Sequence, residues 1–327
     1  MRYKVLIVGL GRIGMGYDYN DKPSEKITTL STAFSNHEKF ELVGGVDVDS
    51  KKRFKFTKKF NKPSFNNIEL AIQITKPDVF VVASPTETHS KIIKEALALR
   101  KFKLILCEKP ISYSLKETTE IIRLTKKFKI PLFVNYMRRS DPGLMKVRQM
   151  IKKQTFKGPY KGICWYTDGI FNNGSHFIDL LKFWFGTVTN FKAIQKQQNN
   201  NLFLKDLDFN PDFEINFSSA KFYFLSLNKE NFSHNALELY GKNGRLRYER
   251  GLIEFQKSKL DKNFRGYSFI EKKINTIKSG HPFLQWHLAD NIYKFLTKKN
   301  FSLSSSEDSY NTIRLLDKVR RKFYEIR

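Results

Sequence analysis

The sequence predicts an α/β protein of two domains: a doubly wound parallel sheet first, then an α+β domain with a large, mostly antiparallel open sheet. Three observations carry this expectation. Across residues 3–135, short apolar runs alternate with stretches of helical periodicity, the βαβαβ pattern of a parallel sheet with helices on its faces. A glycine-rich turn follows the first apolar run directly. Beyond Arg139 the period shortens to two, and Asn243-Gly244 supplies the strongest hairpin signal in the chain. At 327 residues the chain exceeds one ordinary domain. The boundary is expected at 126/127, giving a dinucleotide-binding domain over 1–126 and a substrate and oligomerisation domain over 127–327.

Residues 3–8, YKVLIV, read as a buried strand, and Gly9-Leu10-Gly11-Arg12-Ile13-Gly14 follows it. In that context GxGxxG is the dinucleotide fingerprint of a Rossmann sheet. The first glycine turns the chain, the second admits a pyrophosphate, and the third packs helix on strand. The second strand, Phe40–Val46, ends in Asp47, an acid placed to accept adenosine ribose hydroxyls and to repel a 2′-phosphate, so NAD is expected over NADP. The interval from Gly14 to Asp47 is longer than the usual spacing of about 20 residues. It implies an insertion, which the turn-rich 17–23 segment supplies before a helix over 27–36. A helix follows over 51–60, whose Lys51 to Arg53 would be the cations to hold a 2′-phosphate if NADP were used, and another over 67–75.

The apolar run 78–83 opens into Ser84-Pro85-Thr86-Glu87-Thr88-His89, and a helix continues to about Arg100. Residues 104–107, LILC, then end in Glu108-Lys109-Pro110. A helix over 115–128 leads to a strand over 130–135. Three strands thus deliver polar sequences to the carboxyl edge of one sheet, where ligands of open α/β sheets bind. A chance Glu-Lys-Pro at a surface turn does not predict that convergence.

In the second half, strands are expected over 160–167, 189–195, 213–217, 221–227, 236–240, 245–248 and 252–256, with helices over 175–185, 282–298 and 306–325. The 175–185 helix is amphipathic and places His176, Asp179 and Leu180 on one side, while Asn172 and Asn173 lie at or before its start as caps. A histidine in the first turn of a helix is favoured in its neutral, proton-accepting form, and the alternative is a core histidine bonded to Asp179.

Composition narrows the classes. Hydrophobic residues at 40% and aromatics at 14% exclude a disordered or fibrous chain. Two cysteines build no disulfide framework, and no Cys/His cluster has structural-zinc spacing, so no metal is expected. Without a membrane-length apolar run or a cleavable leader, a cytoplasmic protein with no membrane partner is expected. The formal charge of +27 is scattered in short groups along predicted helices, so nucleic acid is not the expected partner. The positive field would steer anionic substrates such as nucleotide sugars.

Together GLGRIG, Asp47, SPTETH, CEKP, VNYMRR and GSHFIDLLKFWFG resemble the family of glucose–fructose oxidoreductase, inositol dehydrogenase and MocA, in order across roughly the first 190 residues. The resemblance implies NAD(P)-dependent hydride transfer at a sugar or polyol carbon, and an open sheet that forms homodimers or homotetramers. It puts the catalytic pair on Lys109 and His176. The cofactor would contact Gly9, Gly11, Arg12, Ile13, Gly14, Asp47, Ser84, Pro85, Thr86, His89, Glu108 and Lys109. A small-molecule sugar substrate would meet Lys109, Tyr136, Arg138, Tyr166, Asp168, Asn172, Asn173 and His176. The family commonly has an aspartate four residues before the histidine, where this chain has Asn172. His176 then acts without that acid, or Asp168 or Asp179 replaces it, or the chain is a non-catalytic, NAD-bound sugar sensor.

Overall fold

The computed structural model describes residues 2–194 and 208–324, so Gln195 and Glu325, the last residues of two expected elements, lie outside the described residues. The chain divides into two compact units, 1–140 with 282–313 and 141–281 with 314–327. In the first unit, β1 (Tyr3–Val8), β2 (Phe40–Val46), β3 (Ser64–Phe65), β4 (Val79–Val82), β5 (Leu104–Cys107) and β6 (Leu132–Val134) run parallel in the order β6-β5-β4-β1-β2-β3. This is the doubly wound order, whose direction reverses between β1 and β4. β4 and β5 are buried along their whole length, as strands covered on both faces must be.

The connecting helices are α1 (Leu30–Asn36), α2 (Ser50–Phe60), α3 (Ile68–Thr75), α4 (Thr86–Leu99) and α5 (Leu115–Lys127). Local chemistry sets most of their starts: Thr29, Asp49, Asn67 and Ser114 each accept a backbone N–H from the first turn. The expected insertion is ordered by a residue that sequence patterning did not single out. Asp18 is fully buried, and its carboxylate accepts from Thr28 N (2.8 Å), Thr29 N (2.9 Å) and the hydroxyls of Thr29 (2.6 Å) and Thr32 (2.9 Å). Lys59 adds bonds to the carbonyls of Asp18 and Tyr19 at 2.7 and 2.8 Å. That polar knot holds residues 17–29 against α1.

In the second unit come α6 (Pro142–Lys152), β7 (Tyr160–Tyr166), α7 (Ser175–Phe185), β8 (Asn190–Ala193), β9 (Phe213–Asn216), β10 (Ala220–Ser226), β11 (Ala236–Gly241), β12 (Gly244–Glu249), β13 (Leu252–Leu260), β14 (Ser268–Ile270) and β15 (Asn275–Ile277). Their sheet is ordered β14-β13-β12-β11-β7-β10-β9-β8, with β15 on β13, and among the described residues only β7 and β10 pair in parallel. One face packs aromatics, including Phe185 with Tyr160 (5.0 Å) and Phe222 (5.5 Å). On β7 the alternate residues Lys161 and Ile163 are exposed, and Tyr240 on β11 is exposed too, so the opposite face carries solvent-facing side chains.

The chain then returns to the first unit with α8 (Leu284–Leu296) and the two-residue β16 (Ser304–Ser305), which pairs antiparallel with β6. The final α9 (Ser306–Tyr324) follows. Buried Arg139 anchors the return through Asp308 at 3.0 Å, and Ser302 donates to the Arg139 carbonyl at 2.8 Å. The units therefore divide differently from the expected 126/127 boundary, because β6 extends the first sheet and 282–313 joins it late. No helix among the described residues is long and apolar enough to cross a membrane.

Candidate functional site

At the carboxyl end of β1 the three glycines differ in what surrounds them. Gly9 has φ +98°, and a Cβ there would collide with the backbone of Ala83 and Ser84; at Gly14 it would collide with the Gly9 carbonyl. At Gly11 a Cβ would meet nothing within 4 Å. The loop thus combines two points where the backbone packs on itself with one that faces open space. That geometry lets a pyrophosphate approach the main chain, so the residues present fit a dinucleotide. Arg12 is exposed and Ile13 half-buried in the single π-helical turn Arg12–Gly16 that follows.

Asp47, at the end of β2, accepts from Leu10 N at 2.8 Å and Asp49 N at 2.9 Å, so the acid fastens the glycine loop to the second strand. Arg53 turns back onto the carbonyls of Asp47 and Val48, both at 2.9 Å, and Lys52 Nζ lies 3.8 Å from the Asp47 carboxylate.

Ser84 and Thr88 share a hydroxyl hydrogen bond of 2.7 Å around Pro85, which precedes the first helical residue, Thr86. His89 is 1% exposed, with Nε2 2.9 Å from the Ser84 carbonyl and Nδ1 3.1 Å from the Pro110 carbonyl. Burial lowers its proton affinity, and the carbonyls around it act the other way. Glu108 is buried and receives the Asn135 amide at 2.5 Å; the same amide donates to Gln285 of α8 at 3.1 Å. Desolvation pushes the Glu108 carboxyl up to about 7, against the opposing effects of Asn135 and Lys109. Lys109 is half-buried just beyond β5. Asn135 and Gln285 escaped sequence reasoning. Asn135 stands inside VNYMRR without a sign of its partner, whereas nothing local to Gln285 points 150 residues back.

The second unit carries the histidine. A π-helical turn, Gly169–Gly174, runs straight into α7, with Gly174 itself in helical conformation. Asn172 and Asn173 therefore lie within a continuous helical path and do not cap its start, and the dipole expected to act on His176 begins a turn earlier than the sequence suggested. The turn is stapled from a distant segment: Asp208 accepts from Phe171 N (2.7 Å) and Asn172 N (2.8 Å), and Asn210 accepts from Gly169 N (2.8 Å). Gly169, at φ +91°, leaves no room for a Cβ beside the Asp208 carboxylate. His176 is 6% exposed and Asp179 1%. The amide of Asn172 donates to Asp168 at 3.1 Å, Asp168 also pairs with Lys229 at 2.9 Å, and Asn173 donates to the Thr167 carbonyl at 2.9 Å.

The remaining expected contacts divide by unit. Tyr166 is fully buried and its hydroxyl donates to the Pro211 carbonyl at 2.5 Å, a core anchor whose ionisation burial opposes. Tyr136 is buried in the first unit at 2% exposure, and Arg138 is half-buried in the short turn Met137–Ser140.

Residues 3–136 match the model of the oxidoreductase family with an NAD-binding Rossmann fold. The chain is 26% identical to the myo-inositol 2-dehydrogenase of Thermotoga maritima over 157 residues, 48% of this chain and 43% of that one. It is 32% identical to the glucose-6-phosphate 3-dehydrogenase of Bacillus subtilis over 116 residues, 36% and 28% of the two chains. The chain thus spans less than half the length of the curated relatives it matches. Among solved structures, the WlbA dehydrogenase of Bordetella pertussis, in complex with NADH and UDP-GlcNAcA, shares the fold with a TM-score of 0.76 at 15% identity, over 99% of this chain and 96% of that one. Its glycine loop, parallel sheet and family match give residues 3–136 the NAD-binding Rossmann domain of the Gfo/Idh/MocA oxidoreductase family.

Proposed function

We propose that the chain is an NAD-dependent oxidoreductase acting on a secondary alcohol or ketone of a sugar, nucleotide-linked or otherwise anionic, in surface-carbohydrate biosynthesis. The observation that carries this reading is the convergence of the glycine loop, the Ser84 loop and Glu108-Lys109 at one sheet edge, the last two bridged by His89. The chain's charge of +27 supports an anionic substrate, which a positive field would steer. A related enzyme named for myo-inositol keeps a polyol as the alternative substrate.

When bound, the nicotinamide supplies the acceptor or donor of hydride. Lys109 donates to the substrate oxygen and stabilises the alkoxide that develops there. His176 takes the hydroxyl proton in oxidation and returns it in reduction. Glu108, held by Asn135, orients the nicotinamide ribose and Lys109. Asp47 accepts the adenosine ribose hydroxyls and disfavours a 2′-phosphate. Arg53 is engaged by main-chain carbonyls and Lys52 lies beside Asp47, which supports NAD over NADP. A homodimer or homotetramer in the cytoplasm is the assembly we propose, with a second copy on the open sheet face.

The test is NADH oxidation with a panel of keto-sugars, nucleotide-linked and free, alongside keto-inositol. Lys109→Ala and His176→Asn are each expected to lower turnover by about 10²- to 10⁴-fold while NADH still binds; near-normal turnover in either overturns the assignment. One observation favours a second reading. Asn172, where an acid is usual, donates its amide to Asp168 and has no proton-accepting carboxylate to offer, so a fold that binds a sugar without turning it over is the second reading. NADH binding with no turnover on any member of the panel would favour that sensor.

A further inference from the structure

We propose that His89 is a positioning residue for Lys109: its Nδ1–H donates to the Pro110 carbonyl and so fixes the residue that follows the lysine. The inference rests on the reading that Lys109 contacts the substrate.

The ladder between β4 and β5 closes with Val82 opposite Cys107, and the last main-chain bond across it runs from Glu108 N to the Val82 carbonyl at 2.8 Å. Beyond that bond the two strands send their chains into separate loops, one through Ser84 and Pro85, the other through Lys109 and Pro110. His89, in the first turn of α4, spans them with one ring, 2.9 Å from Ser84 O and 3.1 Å from Pro110 O. Pro110 has no N–H to donate, so of its own main-chain groups the carbonyl is the one available for holding this turn. His89 is 1% exposed and Pro110 is buried, so water does not compete for that carbonyl.

The ring faces two acceptors, and a neutral imidazole has one N–H. Burial opposes the cation that would satisfy both, while Glu87 on the same helix and the backbone of Ser84, Pro110 and Ile111 favour it. One donor therefore dominates in the neutral form, and the two loops respond differently to its loss. A cofactor-contacting histidine would have at least one nitrogen free for that ligand. Here both nitrogens face main-chain carbonyls, which assigns His89 to the scaffold under Lys109 and revises its expected role as a cofactor contact.

Two variants separate the nitrogens. His89→Asn places an amide donor where Nδ1 stands, and His89→Gln places one where Nε2 stands. The Gln variant is expected to lower kcat by about 10- to 100-fold with the NADH dissociation constant little changed, because a small misplacement of a reacting group is that costly. The Asn variant is expected to retain most of kcat. A readout independent of turnover accompanies this: pulse acetylation of the NADH-bound protein, scored by mass spectrometry as the Lys109 to Lys58 ratio, with the Gln variant shifted by about threefold or more and the Asn variant unshifted. Equal labelling of Lys109 in wild type and the Gln variant, or equal losses of stability and NADH affinity in both variants, overturns the proposal. If wild-type protein turns over no sugar, the functional reading fails while the labelling comparison still decides the position of Lys109.

Discussion

The glycine loop of the first unit and the π-helical turn before His176 in the second do the same kind of work: each holds backbone in an unusual path beside a candidate site. They are held by different forces. At Gly9 and Gly14 the constraint is steric, a Cβ that has no room against the backbone of Ala83 and Ser84 or of Gly9. At 169–174 it is polar and distant, the side chains of Asp208 and Asn210 accepting the main-chain N–H groups of Gly169, Phe171 and Asn172. Steric constraints appear in a sequence as glycine spacing. Polar staples do not appear there at all.

The largest effect separates the glycines themselves. Gly9→Ala puts a methyl group into the Ala83–Ser84 backbone at φ +98°, and a loss of about 3 kcal/mol or more is expected on urea unfolding. Gly11→Ala faces open space at φ −76°, so stability is expected to stay within about 0.5 kcal/mol while NADH affinity, measured by fluorescence titration, falls about tenfold or more. Equal stability losses at the two positions would break the distinction between self-packing and cofactor-facing glycines.

Asp208→Ala is the corresponding cut in the second unit. It leaves Phe171 N and Asn172 N without their acceptor, and because bonds to a charged group are each worth about 1.5–3 kcal/mol, a loss of about 3 kcal/mol is expected. Hydrogen exchange should locate the loosening at 169–174. Uniform exchange across the unit would mean that the staple is not local.

The contrast explains what was legible. β1, β4 and β5 announced themselves as continuous apolar runs, and α7 matched its expected bounds, because burial on both faces or along one stripe leaves a periodic trace. α6 was missed although Asp141, which accepts from Gly143 N and Leu144 N, and Pro142 form a recognisable helix start. The two-residue strands β3 and β16 and the short β14 and β15 carry too few residues for any period. Asp18, Gln285 and Asp208 share one reason for escaping: each is a polar side chain whose partners are set by the folded path.

Glu108 tests whether the first unit also hides a polar constraint under its steric one. Folded, it keeps its proton up to about pH 7, against 4.5 for a fully hydrated glutamate such as the unfolded chain presents. Between those values the folded state binds more protons, so stability falls as pH rises, by up to about 3 kcal/mol in total. Glu108→Gln removes this dependence. Urea midpoints from pH 5 to 8 should show the variant gaining on wild type as pH rises, and a constant difference would mean that the carboxylate is ionised throughout.

The smallest effect bears on the question left by Asn172. Lys229→Met removes the cation 2.9 Å from Asp168, but lysine and aspartate are 67% and 48% exposed, and such pairs contribute about 0–1 kcal/mol. Stability should therefore hold within that range, in contrast to Asp208→Ala in the same unit. Asp168 keeps the Asn172 amide at 3.1 Å after the change, so its position should hold as well. If Asp168 takes no part in the reaction, turnover on the substrate found in the panel should change by less than about threefold. If turnover changes severalfold more while urea midpoints and NADH affinity stay fixed, the charge balance at Asp168 reaches the reaction, and Asp168 supplies the acid that position 172 lacks.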